Sequence, residues 1–166
     1  MNTDHAGTLL QDNGVRRPAG LTRQVIRFLL KGPGSLRSRP LGWGISLLGV
    51  AGAALLVWSS VIHLQLWSDG YNGIPTIGAL FLAQGIGGIA VALAVAVFRR
   101  LAALGAGAVT LAATAVGLLL SVHVGLFGYK ESLAVPYAMS SLVIEFTGAG
   151  ILAVAALALL IAPRRS

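Results

Sequence analysis

Four long apolar stretches, Leu41 to Trp67, Pro75 to Phe98, Leu101 to Phe127 and Tyr137 to Ala162, occupy most of the chain and constrain its fold more than any other feature. An α-helix rises about 1.5 Å per residue, so about 20 residues cross a hydrocarbon core of about 30 Å, and each stretch is long enough. In lipid every backbone N–H and C=O must be paired inside the protein, and a helix does this within one segment. The second and third stretches divide at Arg99-Arg100, a pair too costly to leave in hydrocarbon and therefore a tight turn at an interface. The other breaks are Ser68 to Ile74, rich in turn formers and followed by Pro75, and Gly128 to Pro136, which holds Lys130 and Glu131. Short connections favour antiparallel neighbours. The expected fold is an all-α membrane protein, a four-transmembrane-helix up-down-up-down bundle over residues 41–162 with spans 41–67, 75–98, 101–127 and 137–162.

Composition supports lipid as the solvent. The 166 residues are 56% hydrophobic and 10% charged, against roughly 25% charged in soluble domains. So few charges cannot cover an apolar core in water. One domain is expected at this length. The absence of cysteine removes disulfides, thiolate metal sites and a cysteine nucleophile. The net charge of +7 does not indicate nucleic acid, because the bases sit at the edges of apolar segments and form no aromatic-studded patch.

Orientation follows from where those bases lie. Of the twelve, all but Lys130 fall in the N-terminal part, in the Arg99-Arg100 turn or in the C-terminal tail. The positive-inside rule then puts both termini of this multi-pass protein in the cytoplasm and the loops around Asp69 and Lys130 outside. Trp43, Trp67, Tyr71, Phe127, Tyr129 and Tyr137 fall near span boundaries, where amphipathic rings are favoured. Residues 1–20 read as a disordered polar tail and 163–166 as a second tail. The first apolar stretch starts too late and runs too long for a secretory signal peptide. Over residues 21–32, Leu21, Val25, Phe28 and Leu29 recur at helical spacing, and Arg23, Arg27 and Lys31 form a separate stripe. This predicts a basic amphipathic helix on the anionic lipids of the cytoplasmic leaflet, where each base contributes on the order of 1 kcal/mol.

Helices in lipid have no hydrophobic drive to associate, so close packing of small residues must supply much of the attraction. Ala113, Gly117, Ser121 and Gly125 make a small stripe on the third span. Gly49, Gly52 and Ser59 share a face with His63 on the first, Gln84, Gly88 and Ala92 align on the second, and Ser141, Glu145, Ala149 and Ala156 align on the fourth. Such faces suit the bundle interior, a homo-oligomer or a membrane protein partner.

Polar residues inside the spans are the candidate site. Glu145 lies about 12 Å below the outer end of the fourth helix, and an acid near mid-helix costs about 2.5–3.5 kcal/mol on insertion scales. It is therefore expected to face the bundle or a wet cavity, and to be protonated or paired. His63 and His123 are each expected about 6 Å inside the outer ends of their spans. With Gln84 and Ser141 they place strongly polar groups in the outer half of every span, while the inner half has almost none. In one reading these groups orient a small amphipathic ligand such as a lipid or quinone. In a second, His63 and His123 ligate haem, or join Glu145 around zinc. In a third, the groups only hydrogen-bond between helices. No nucleophile elbow, zinc-protease motif or phosphate-binding loop is present, so catalysis is not expected and no cofactor is predicted.

The stretch from His63 through Leu64, Gln65 and Leu66 to Trp67, followed by Gly70-Tyr71-Asn72-Gly73-Ile74-Pro75-Thr76 and on to Gln84, resembles the first loop of small four-span membrane proteins of actinobacteria. The resemblance implies a plasma-membrane address and a four-helix fold, and carries no activity with it. It would bring His63, Tyr71, Pro75, Thr76 and Gln84 together on the outward side.

Overall fold

A computed structural model describes residues 19–163; of the two expected tails only Ala19, Gly20 and Pro163 lie among them. The described chain forms five α-helices: α1 (Ala19–Leu29), α2 (Arg39–Ser68), α3 (Ile77–Phe98), α4 (Leu101–His123) and α5 (Ala138–Ile161). The last four are long and apolar enough to cross a membrane. Short 3-10 turns at Pro33–Ser35 and Tyr71–Gly73 precede α2 and α3.

The helix ends follow local chemistry. Ser38 caps α2, its Oγ accepting from the Leu41 N–H at 3.5 Å, and Pro40 occupies the first turn, where no N–H is required. Between α3 and α4 only Arg99, in the left-handed region at φ 47°, and Arg100, extended, reverse the chain. The expected third span to residue 127 is too long. The α4 helix closes at His123 because Gly125 takes φ +86° and its N–H donates back to the Leu120 carbonyl at 3.0 Å. This glycine closure caps the orphan carbonyls and ends the helix. A short bridge between Leu126 and Tyr129 follows in place of a further turn of helix.

The α2 helix packs along both α3 and α5, and α4 packs along α5; α3 and α4 touch much less. The half of the bundle nearest Arg99-Arg100 is a dry core containing Leu36, Ile45, Leu56, Val95, Leu104, Leu111, Leu152 and Leu159. Glycines permit the close approaches: Gly52 faces Leu152, and Gly148 lies against Leu111 and Leu55. The small stripe of α4 behaves otherwise. Ala113 is exposed and a side chain at Gly117 would meet nothing within 4 Å, so this face lines open space and is not a helix interface.

The α3 and α4 helices form a wedge. They meet near the arginine turn, where Gly107 sits beside Val95, and from Val91 and Val109 onward they line a cleft. The vertex of the wedge is tied to the N-terminal segment, because the Leu101 N–H donates to the Lys31 carbonyl at 2.8 Å. The amphipathic helix thus begins slightly earlier than expected and ends against this turn. Its Val25, Ile26, Phe28 and Leu29 are exposed, with the Lys31 ammonium over the Phe28 ring at 4.4 Å from its centre.

Candidate functional site: a polar-floored cleft between α3 and α4

The cleft has a volume of about 600 Å³, within the range of small-molecule sites. Its walls are mainly apolar: Leu80, Phe81, Gly87 and Val91 on α3, and Val109, Ala113, Gly117 and Leu118 on α4. The α2 and α5 helices supply His63, Ser141 and Glu145, and Gln84 comes from α3. Tyr71, Tyr129 and Glu131 cover the end away from the arginines. The lining holds two carboxyl groups, Glu131 and Glu145, and no Lys or Arg.

Ser59 organises the floor. Its hydroxyl donates to Glu145 Oε1 at 2.9 Å across the α2–α5 contact. Its backbone carbonyl, which can only accept, takes the Nδ1–H of His63 at 2.8 Å. In the neutral imidazole Nε2 is then an acceptor. The His63 ring also lies 5.0 Å from Phe81, centre to centre. Glu145 is 1% exposed. Its Oε2 has no hydrogen-bond partner, nor has Gln84 Nε2 or the Oγ of Ser60, a residue beside the floor whose hydroxyl abuts Gly88. Buried polar atoms are nearly always paired, so a cluster of unpaired ones on one cleft calls for a physical reason.

The cover is a separate network. The Tyr71 hydroxyl donates to Glu131 Oε2 at 2.7 Å, Tyr129 donates to the same carboxylate at 3.3 Å, and Tyr71 stacks on Phe81 at 4.8 Å. Burial first, then the hydrogen bonds with Tyr129 and Glu131, push the Tyr71 phenol well above its ordinary value of 10.0. Because the folded value is the higher one, the contribution to stability is complete below about pH 10 and is lost as the pH rises through the folded value. Ultraviolet titration of tyrosinate is expected to show one phenol ionising later than a free one, and Tyr71→Phe should remove that late step. An unchanged titration curve in the variant would contradict the network.

The structure brings His63, Gln84, Ser141, Glu145 and Tyr71 to one cleft, and leaves His123 outside it. Since α4 stops at His123, this residue is not one turn inside the span. It sits exposed at the helix end with Nδ1 on the Leu119 carbonyl at 2.8 Å. Of the expected pair of His63 and His123, only His63 lines the cleft, and the expected set of both with Glu145 is not assembled. Among the described residues no three His, Asp or Glu side chains come together in a way that could hold a metal ion. Arg23 and Arg27 are exposed on α1 and Lys31 follows it; none lines the cleft. In the sequence Tyr129 and Glu131 read as an interface ring and a loop charge and not as site residues; the one signal is an acid in the break from Gly128 to Pro136. Comparison with protein-family models, curated proteins and solved structures gave no match.

Proposed function

We propose that this chain is a non-enzymatic plasma-membrane protein whose cleft takes up a small amphipathic molecule from the lipid phase. The observation that carries this reading is the pairing of unsatisfied buried polar atoms, Glu145 Oε2 and Gln84 Nε2, with walls that are otherwise apolar. Desolvated polar groups cost about 1–3 kcal/mol each when left unpaired, and a ligand head that pairs them recovers that cost. The apolar body of the ligand lies between α3 and α4, where Leu80 and Val109 on the rims are 48% and 68% exposed and would face lipid.

Sidedness comes from charge. With the arginine turn and both tails in the cytoplasm, the cleft opens in the outward half of the bilayer, and α1 rests its basic stripe of Arg23, Arg27 and Lys31 on the anionic inner leaflet. The resemblance of the His63 to Gln84 segment to small four-span actinobacterial proteins supports the same address. The chain has no cysteine, so single-cysteine variants report cleanly. In intact cells Asn72→Cys is expected to react with an impermeant maleimide and Gly34→Cys is not; the reverse pattern would invert the orientation.

The cleft itself is tested by occlusion. A Cβ at Gly117 meets nothing within 4 Å, so Gly117→Phe adds bulk to the cleft wall without crowding the helix at its point of attachment. Protein purified in polymer discs should carry a co-isolated amphipathic molecule detectable by mass spectrometry, reduced about tenfold in the variant, a ratio worth about 1.4 kcal/mol. Equal retention by both proteins would remove the cleft as the binding site. A Soret band in the purified protein would instead favour haem over a lipid-phase ligand.

A further inference from the structure

We propose that the ligand's head is a neutral hydroxyl, so that the cleft selects long-chain lipid alcohols, such as a prenol, a sterol or a diacylglycerol, over fatty acids and lipid amines. This rests on the reading of the cleft as a lipid-phase site and adds the chemistry of its occupant.

The argument compares what the floor lacks with what each head can offer. Gln84 Nε2 is a buried donor without an acceptor. Glu145 Oε2 is unpaired, while its Oε1 is already taken by the Ser59 hydroxyl. His63 adds an acceptor at Nε2, because Nδ1 is committed to the Ser59 carbonyl. The lining thus holds an unpaired donor on Gln84 and an acceptor on His63, while Glu145 Oε2 accepts when ionised and donates when protonated. A carboxylate only accepts: it can satisfy Gln84, but it brings negative charge into a cleft that already holds Glu131 and Glu145 and no Lys or Arg. An ammonium only donates and leaves Gln84 unpaired; the two carboxyl groups offset part of its charge, so it competes more closely than the acid does. A hydroxyl donates and accepts without charge, and it matches both kinds of unpaired atom.

The shape of the cleft agrees with a chain-bearing alcohol. The α4 wall runs from Val109 to Ser121, about 18 Å at about 1.5 Å per residue. The Gly87 and Gly117 positions have no neighbour within 4 Å of an added side chain. The space beside these glycines suits an apolar chain between α3 and α4, its head at the floor.

Photoreactive diazirine analogues of hexadecanol, hexadecanoate and hexadecylamine, matched in chain, test this on the full-length protein in lipid discs. Labelled peptides are mapped by mass spectrometry. The alcohol is expected to label α3 and α4 wall peptides about tenfold more than either competitor, the ratio for one hydrogen bond left unmade, and Gly117→Phe should abolish the labelling. Equal or stronger cleft labelling by the acid or the amine would overturn the alcohol assignment while leaving a lipid site. Labelling by none of the three above the level in Gly117→Phe would overturn the lipid site as well. Gln84→Leu gives a second, directional readout: it removes the unpaired donor that an ammonium cannot satisfy. Its preference for alcohol over amine should fall about tenfold. An unchanged preference in a variant that elutes as the wild type does would count against Gln84 as a group that reads the hydroxyl.

Discussion

Gly148→Leu is expected to destabilise the bundle by about 3 kcal/mol or more, since overpacking by even a methylene costs about 1–3 kcal/mol. A Cβ at this position would lie 2.5 Å from Leu111 Cδ1 and 3.1 Å from Leu55 Cβ. The glycine is therefore where α5 meets α4 and α2 at once, and Leu111, the nearer neighbour, is fully buried. The control lies on the same helix. A side chain at Gly150 would meet nothing within 4 Å, so Gly150→Leu should be neutral or stabilise by about 0.5–1 kcal/mol through helix propensity. Thermal unfolding followed by size-exclusion fluorescence separates the two. Similar melting temperatures for both variants would show that α5 does not pack as described.

The second large effect is expected at Ser59. Replacing it by alanine removes the hydrogen bond to Glu145 Oε1, and since Oε2 already has no partner, the buried carboxyl is left unpaired among the described residues. Interhelical hydrogen bonds in membranes average about 0.6 kcal/mol, but that average describes partners that can find substitutes. Glu145 is 1% exposed and cannot turn to water, so the cost of an orphaned group, about 1–3 kcal/mol, is the better guide. The control is the double variant with Glu145→Leu, which removes both partners and should be less destabilised than the sum of the single changes by about 1 kcal/mol. Strict additivity would mean that the hydroxyl and the carboxyl do not interact.

Much of the architecture was legible because lipid imposes simple rules. Long apolar runs had to be helices, and Arg99-Arg100 had to interrupt them. The polar floor was legible for the same reason: Glu145, Gln84, Ser141 and His63 are conspicuous in hydrocarbon, and burying them against one another is cheaper than exposing them to acyl chains. His123 was misplaced because hydropathy does not register a helix end inside an apolar run; Gly125 at positive φ ended α4 early. The stripe of Ala113, Gly117 and Ser121 looked like a contact between helices. Small residues equally suit a groove wall, and their spacing alone does not distinguish the two. The order of helices around the bundle was likewise not readable, since that depends on which knobs meet which hollows. Tyr129 and Glu131 escaped notice because their partnership with Tyr71 joins two loops distant in the chain.

The hydrogen bond from Leu101 to Lys31 gives the wedge a fixed pivot. The first turn of α4 is held by the segment that follows α1 on one side and by the apolar core on the other, so the narrow end stays closed. Anything lodged in the cleft would be stopped there, near Val91 and Val109, and its far end would lie beneath the Tyr71 cover.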